Sequence, residues 1–128
     1  MLTQPTVLIV DDDPSHLKLY AWIAERAGWR AQTVQVKSSS LDLKKGDLVD
    51  LILMDYRLSS SLTAADVVHE LKGEFPEAPI VVLSQEYGMP SDMKSHAIAF
   101  VRKGQPEELV RLLNQFRDSG SALSQPST

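Results

Sequence analysis

The stretch TVLIVDDDPSHL, residues 6–17, sets four apolar residues, Val7-Leu8-Ile9-Val10, directly against three carboxylates, Asp11, Asp12 and Asp13. Adjacent carboxylates raise the cost of ionising one another, so such a cluster at the end of a buried run calls for a compensating charge. Three more apolar runs end in polar residues. LILM (51–54) is followed by Asp55, IVVL (80–83) by Ser84, and IAFV (98–101) by Arg102 and Lys103. A divalent cation relieves carboxylate repulsion. Mg2+ prefers oxygen ligands, keeps several waters, and takes one or two carboxylates together with phosphate oxygens. Lys103 offers the positive charge, and Ser84 the hydroxyl, that a phosphoryl group would meet beside such an ion. The residue types therefore point to Mg2+ and a phosphoryl group.

These side chains meet only if the four runs lie parallel in one sheet with their ends on one edge. The chain alternates as such a sheet requires. TVLIV (6–10), LILM (51–54), IVVLS (80–84) and IAFV (98–101) are short, apolar and rich in β-branched residues, the pattern of buried parallel strands. AQTVQV (31–36) alternates polar and apolar residues, as an edge strand does. Asp13-Pro14 is an N-cap followed by proline at the first helical position. Leu17, Tyr20, Ala24 and Ala27 then recur on one face, and Gly28 supplies the stop. Thr63-Ala64-Ala65-Asp66 resembles a capping box. It opens a helix with Ala64, Val67, Val68, Leu71 and Phe75 on one side, ended before Pro76. Pro106 opens a last helix carrying Leu109, Val110, Leu113 and Phe116, and SSSLDLKK (38–45) is a candidate short helix. The order predicts an α/β domain whose parallel sheet is covered on both faces, with ligands bound beyond the carboxyl ends of its strands. The small, polar tail 118–128 is expected to be a flexible end or linker.

The 128 residues suit one domain around one core. A net charge of −4 argues against general nucleic-acid affinity, and the absence of cysteine excludes disulfides, thiolate zinc sites and cysteine nucleophiles. No apolar run approaches the roughly 20 residues of a membrane span, and MLTQPT lacks the basic and apolar regions of a signal peptide. A cytoplasmic setting is expected, without membrane or direct nucleic-acid partners.

VLIVDDD, DLILMDYRL, PIVVLS and AFVRK, in this order, resemble the four signature segments of response-regulator receiver domains, over about residues 5–117. Each segment alone is weak, whereas four polar residues in register at one end of their strands are specific. The resemblance implies one domain, residues 5–117, with a flavodoxin-like, doubly wound five-stranded parallel sheet of order 2-1-3-4-5. It implies a phosphoaccepting receiver of a two-component His-to-Asp relay, not an enzyme beyond its own phosphoryl transfer and slow dephosphorylation. By the resemblance Asp55 is the phosphoacceptor, and Asp11 and Asp12 hold Mg2+ directly or through water. Asp55 and the backbone carbonyl of Arg57 complete the metal set. Ser84 would be the switch hydroxyl, Lys103 the phosphoryl partner and Phe100 the rotating aromatic. The implied donor is a sensor histidine kinase or a histidine phosphotransfer protein. The output is a downstream protein partner, and a phosphorylation-dependent homodimer is compatible with it. Arg57 and Glu86 stand two residues after Asp55 and Ser84 and carry opposite charges. As a pair, with Gln85 adding bulk, they would screen the phosphoryl group from in-line water and slow its hydrolysis.

Two other functions fit part of the pattern. Asp11-Asp12-Asp13 satisfies the D-x-D of Mg2+-dependent phosphatases on a related doubly wound fold, with Asp11 as nucleophile. Pro14-Ser15 and the lack of room for a cap domain weigh against it. A pseudo-receiver that only binds partners is opposed by the presence of all five site positions. His16, His69 and His96 share no obvious locus, so surface or boundary positions are expected for them. Phe100 is expected in the core, and Trp22 and Trp29 as packing residues, with an interface role as the alternative for the tryptophans. The chain departs from the family in the loop after Asp55, which has neither the usual proline nor the usual glycine, and in Gly104, where proline is usual. The segment from Ser84 to Lys103 is also shorter than usual and contains Gly88 and Pro90. The fourth helix is therefore expected to be short, displaced or partly unwound.

Overall fold

The computed structural model describes residues 4–37, 43, 48–57, 63–85 and 88–123, the last five of these as backbone only. Five strands, β1 (Thr6–Asp11), β2 (Arg30–Gln35), β3 (Leu51–Asp55), β4 (Ile80–Ser84) and β5 (Ala99–Arg102), form one parallel sheet of order β2-β1-β3-β4-β5. Every residue of β1, β3 and β4 is buried. Such strands need cover on both faces, because successive side chains point to opposite sides. Val7, Ile9, Leu51, Leu53, Val81 and Leu83 pack under α1 (Pro14–Arg26) and α3 (Pro106–Leu123). Leu8, Val10, Ile52, Met54, Ile80 and Val82 pack against α2 (Ala64–Glu74) and Met93.

The helix signals work as their chemistry requires. Asp13 caps α1, its carboxylate accepting the Ser15 N–H, and Pro14 follows. Beyond the C-cap Ala27, Gly28 turns the chain at φ 90°, where a side chain would be strained and would strike Arg117. That guanidinium donates to the Ala27 carbonyl, and the buried Trp29 indole N–H donates to the Leu113 carbonyl at 3.2 Å, so α3 is fastened to the exit of α1. Thr63 and Asp66 form a reciprocal capping box at α2.

The chain leaves β1 for β2 on one side, and the sheet continues through β3 on the other. This reversal opens the crevice where open α/β sheets bind ligands. Asp11 ends β1 and Asp55 ends β3 on either side of it.

Three expectations change, and that for the fourth helix holds. Between β4 and β5 the described residues contain only a 3-10 turn, Ser91–Met93, in keeping with the expected short fourth helix. Phe100, expected in the core, is half-buried. It lies beside Val82 on the last strand of the sheet, where one short turn covers less surface than a helix would. Trp29 is buried, but Trp22 is 57% exposed and stacks under the Arg26 guanidinium at 5.0 Å, one helical turn along. The last helix runs on to Leu123, past the boundary expected at residue 117. Each residue added to an established helix gains a hydrogen bond, and no proline interrupts this stretch. Most of the candidate helix 38–45 lies outside the described residues.

Thr63→Ala removes one half of the capping box. It is expected to cost about 1 kcal/mol, read as a lower urea midpoint at unchanged slope, with Thr63→Ser close to wild type. An unchanged midpoint for the alanine variant would show that the cap contributes nothing.

Candidate functional site

The site grows from the ends of four neighbouring strands and the turns that follow them. Asp11 is 1% exposed and Asp55 2%. Asp11 Oδ1 accepts the N–H of Asp13 at 3.0 Å, which folds the chain sharply into the α1 cap. Asp55 Oδ1 accepts the N–H of Arg57 at 3.2 Å and lies 2.9 Å from Lys103 Nζ. Lys103 is itself held in place, since its N–H donates to the Ser84 carbonyl at 2.8 Å. Gly104, at φ 85°, then turns the chain toward α3. Tyr56 N–H donates to the Leu83 carbonyl at 2.9 Å, and the Tyr56 hydroxyl meets Asp92 Oδ1 at 2.9 Å. The residue after Asp55 is thereby tied to the 3-10 turn.

A cavity of about 210 Å³ opens above these strand ends, lined by Asp12, Asp13, His16, Asp55, Arg57, Gln85 and Lys103. Asp11 lies beneath this lining. Burial, above all, pushes its carboxyl up from 3.8 to about 6. The Asp12 carboxyl and the Asp55 charge push the same way, while the Asp13 N–H and Lys103 partly offset them. Tyr20, buried under the same carboxylates, is pushed up to about 12, again by burial first.

Asp11 Oδ2 accepts no hydrogen bond although it is buried. One ligand atom each from Asp11, His16 and Asp55 lie within 4.8 Å of one another. A buried carboxylate oxygen without a donor, facing further ligand atoms, fits a divalent cation.

The expected residues fall as follows. Asp12, Asp55, Arg57, Gln85 and Lys103 share the cavity, with Asp11 below it. Ser84 is buried at the end of β4, next to the strand of Asp55, but is not part of the lining. Phe100 is likewise absent from the lining. Glu86, and with it the expected pairing with Arg57, lies outside the described residues, as does most of the loop after Arg57. His16 takes the boundary position expected of it, but in the wall of the site rather than apart from it. Its Nδ1 stands 3.3 Å from Asp11 Oδ2 and its Nε2 3.7 Å from Asp13 Oδ2, in the cavity wall. The signal was its spacing: it stands three residues after the helix cap Asp13, hence on the same face of the first turn. His69 is exposed on α2, away from this site.

The family model described as the response regulator receiver domain matches residues 7–114. The probable transcriptional regulatory protein TcrX of Mycobacterium tuberculosis is 29% identical over 79 residues, 62% of this chain and 33% of TcrX. The nitrogen assimilation regulatory protein NtrX of Azorhizobium caulinodans is 29% identical over 112 residues, 87% of this chain and 24% of NtrX. The chain matches a third or less of the length of these two relatives. A response regulator receiver domain protein from Clostridium thermocellum superimposes with a TM-score of 0.72 at 21% identity, covering 93% of this chain and 98% of that one. At that identity the likeness is one of fold.

The raised Asp11 carboxyl makes a signed prediction for metal-free protein. Below about pH 4 Asp11 is protonated both folded and unfolded. Between about pH 4 and 6 only the folded chain keeps the proton, so its contribution to stability falls as pH rises and is lost above about 6. Asp11→Asn should remove that fall. In buffer with a chelator, its stability relative to wild type should climb between about pH 4 and 6 and then level off, as followed by urea denaturation. A difference independent of pH would contradict the burial of a charged Asp11.

Proposed function

The chain belongs to the response-regulator receiver family, and on that premise we propose that it accepts a phosphoryl group on Asp55 within a His-to-Asp relay. The observation that carries the reading is the pairing of a buried Asp55 with Lys103 at 2.9 Å on the wall of an acidic cavity. Asp11, Asp12, Asp55 and the backbone carbonyl of Arg57 would hold Mg2+. When bound, that ion supplies positive charge against the phosphoryl oxygens.

The protein's own residues do the rest by positioning. Both Asp55 contacts, from Lys103 and from the Arg57 N–H, fall on Oδ1. They fix the carboxylate plane and leave attack to Oδ2. That oxygen approaches the phosphorus of a phosphohistidine in line. A phosphorus–oxygen bond forms, the phosphorus–nitrogen bond breaks, and the departing imidazole takes a proton from solvent. Lys103 then faces the new phosphoryl charge. Ser84, one strand over, is the hydroxyl that would move toward it. Half-buried Phe100 has space to repack in response, and the Tyr56–Asp92 hydrogen bond gives the acceptor's neighbour a grip on the 3-10 turn. Phosphorylation is then a local charge change that biases a two-state surface.

The donor would be a histidine kinase or a histidine phosphotransfer protein, and the output a downstream protein partner. No helix among the described residues is long and apolar enough to cross a membrane. A cytoplasmic setting for the relay step is part of the proposal. Arg57 and Gln85 on the cavity wall support a role in setting the lifetime of the acyl phosphate. The phosphatase alternative needs Asp11 as nucleophile. Asp11 is not part of the cavity lining, whereas Asp55 is.

Incubation with acetyl phosphate and Mg2+ should add one phosphoryl group, seen by intact mass. Asp55→Asn should abolish it, because an amide is a poor nucleophile. Lys103→Ala should retain Mg2+ binding but impair the phosphorylated state. A phosphoryl group mapped to Asp11 would overturn the assignment.

A further inference from the structure

The acidic cavity contains one donor that an oxygen site for Mg2+ does not call for, the imidazole of His16. It stands in the first turn of α1, its side chain 41% exposed, and lines the cavity beside Asp12 and Asp55. Its Nδ1 is buried and makes no hydrogen bond, and the same holds for Asp11 Oδ2, 3.3 Å away. The two atoms are within ion-pair distance yet are not joined by a hydrogen bond. Asp11 itself is 1% exposed, so bulk water does not satisfy that oxygen. Two buried polar atoms facing each other, neither with a hydrogen-bond partner, are what a cation beside both would satisfy.

We infer that His16 is a direct ligand in this pocket, through Nδ1, and gives it an affinity for borderline first-row cations such as Co2+ and Zn2+. The inference rests on the metal-binding reading of the acidic cavity and concerns which ion the cavity prefers. The third donor is an Asp55 oxygen, and His16, Asp11 and Asp55 each place one ligand atom within 4.8 Å of the others. Ligands on opposite sides of an ion, with bonds of about 2.1 Å, stand about 4.2 Å apart. Side-chain rotation by a fraction of an ångström gathers the set. The far side of the ring fits the role too, since Nε2 lies 3.7 Å from Asp13 Oδ2. A ligating histidine ordinarily directs its second nitrogen at a carboxylate or carbonyl, which fixes the tautomer and raises the basicity of the first. Asp13 is in turn held as the α1 cap through its other oxygen. Imidazole nitrogen favours cobalt and zinc, whereas Mg2+ keeps to oxygen and gives up water reluctantly.

The competing role for His16 is a counter-cation to Asp11. The two roles have opposite consequences: a ligand attracts borderline metals selectively, and a counter-cation repels all of them. The test is titration of the purified chain and of His16→Ala with Mg2+ and with Co2+, separately, by calorimetry. Loss of the ligand should weaken Co2+ binding about 10-fold or more and change Mg2+ binding little. An equal loss for both ions, or a gain for both, overturns the inference. A second measurement needs no variant. Zn2+ added to wild-type protein should shift the 15N resonance of His16 Nδ1 before those of His69 and His96, and an unmoved His16 also overturns it. Normal Mg2+ binding with no selective effect of His16→Ala defeats this inference alone. Failure of wild-type protein to bind either ion defeats the metal reading on which it stands as well.

Discussion

Two carboxylates, Asp11 and Asp55, are held almost wholly out of water at the ends of adjacent strands. Burying one charge without compensation is costly, and burying two of the same sign close together is worse. The surrounding structure answers that cost. Asp55 has Lys103 at 2.9 Å and a backbone N–H. Asp11 has a single backbone N–H on Oδ1 and a bare Oδ2, and its carboxyl is pushed up to about 6. The imbalance between the two acids is an electrostatic opening of the kind a cation relieves. Lys103 reaches Asp55 because its backbone is held to the Ser84 carbonyl and a left-handed glycine follows it.

The fold makes this arrangement by topology rather than by local signals. β1 and β3 become neighbours only because the chain crosses over after β2, so residues 44 positions apart deliver their carboxylates to one crevice. The same sheet leaves β5 lightly covered, since a 3-10 turn takes the place of a longer helix. Phe100 is half-buried for that reason, and Tyr56 can reach Asp92 on the turn. A receiver built in this way has a short, tethered surface beside its acceptor where the family commonly has a helix. The acid cluster and the Asp55–Lys103 pair lie at the carboxyl ends of the strands beside it.

Strand and helix positions were legible in the sequence because periodicity and caps act locally. IVVLS matches β4 residue for residue, and Asp13-Pro14 and Thr63–Asp66 start their helices as read. The convergence of Asp11, Asp12, Asp55 and Lys103 was legible because each stands one or two residues after an apolar run. His16 was not, because a histidine in a helix has no fixed meaning until the direction of that helix relative to the sheet is known. Phe100 and Trp22 were misjudged for a related reason. Aromatic character implies burial only where another element is at hand to cover it, and that is a tertiary fact. The last helix outran its expected end because Gly and Ser lower helix propensity without stopping a helix already formed.

The central claim is that Asp55 is the acceptor in a metal-assisted pocket whose phosphorylation repacks the adjoining strands. Beryllofluoride with Mg2+ mimics an acyl phosphate without chemical turnover, and NMR reads the result residue by residue. Saturable shifts should begin at Asp55, Ser84 and Lys103 and extend to Phe100 and Asp92, with none in Asp55→Asn. A spectrum unchanged by Mg2+ and beryllofluoride together, or an Asp55→Asn variant that responds like wild type, would contradict the claim.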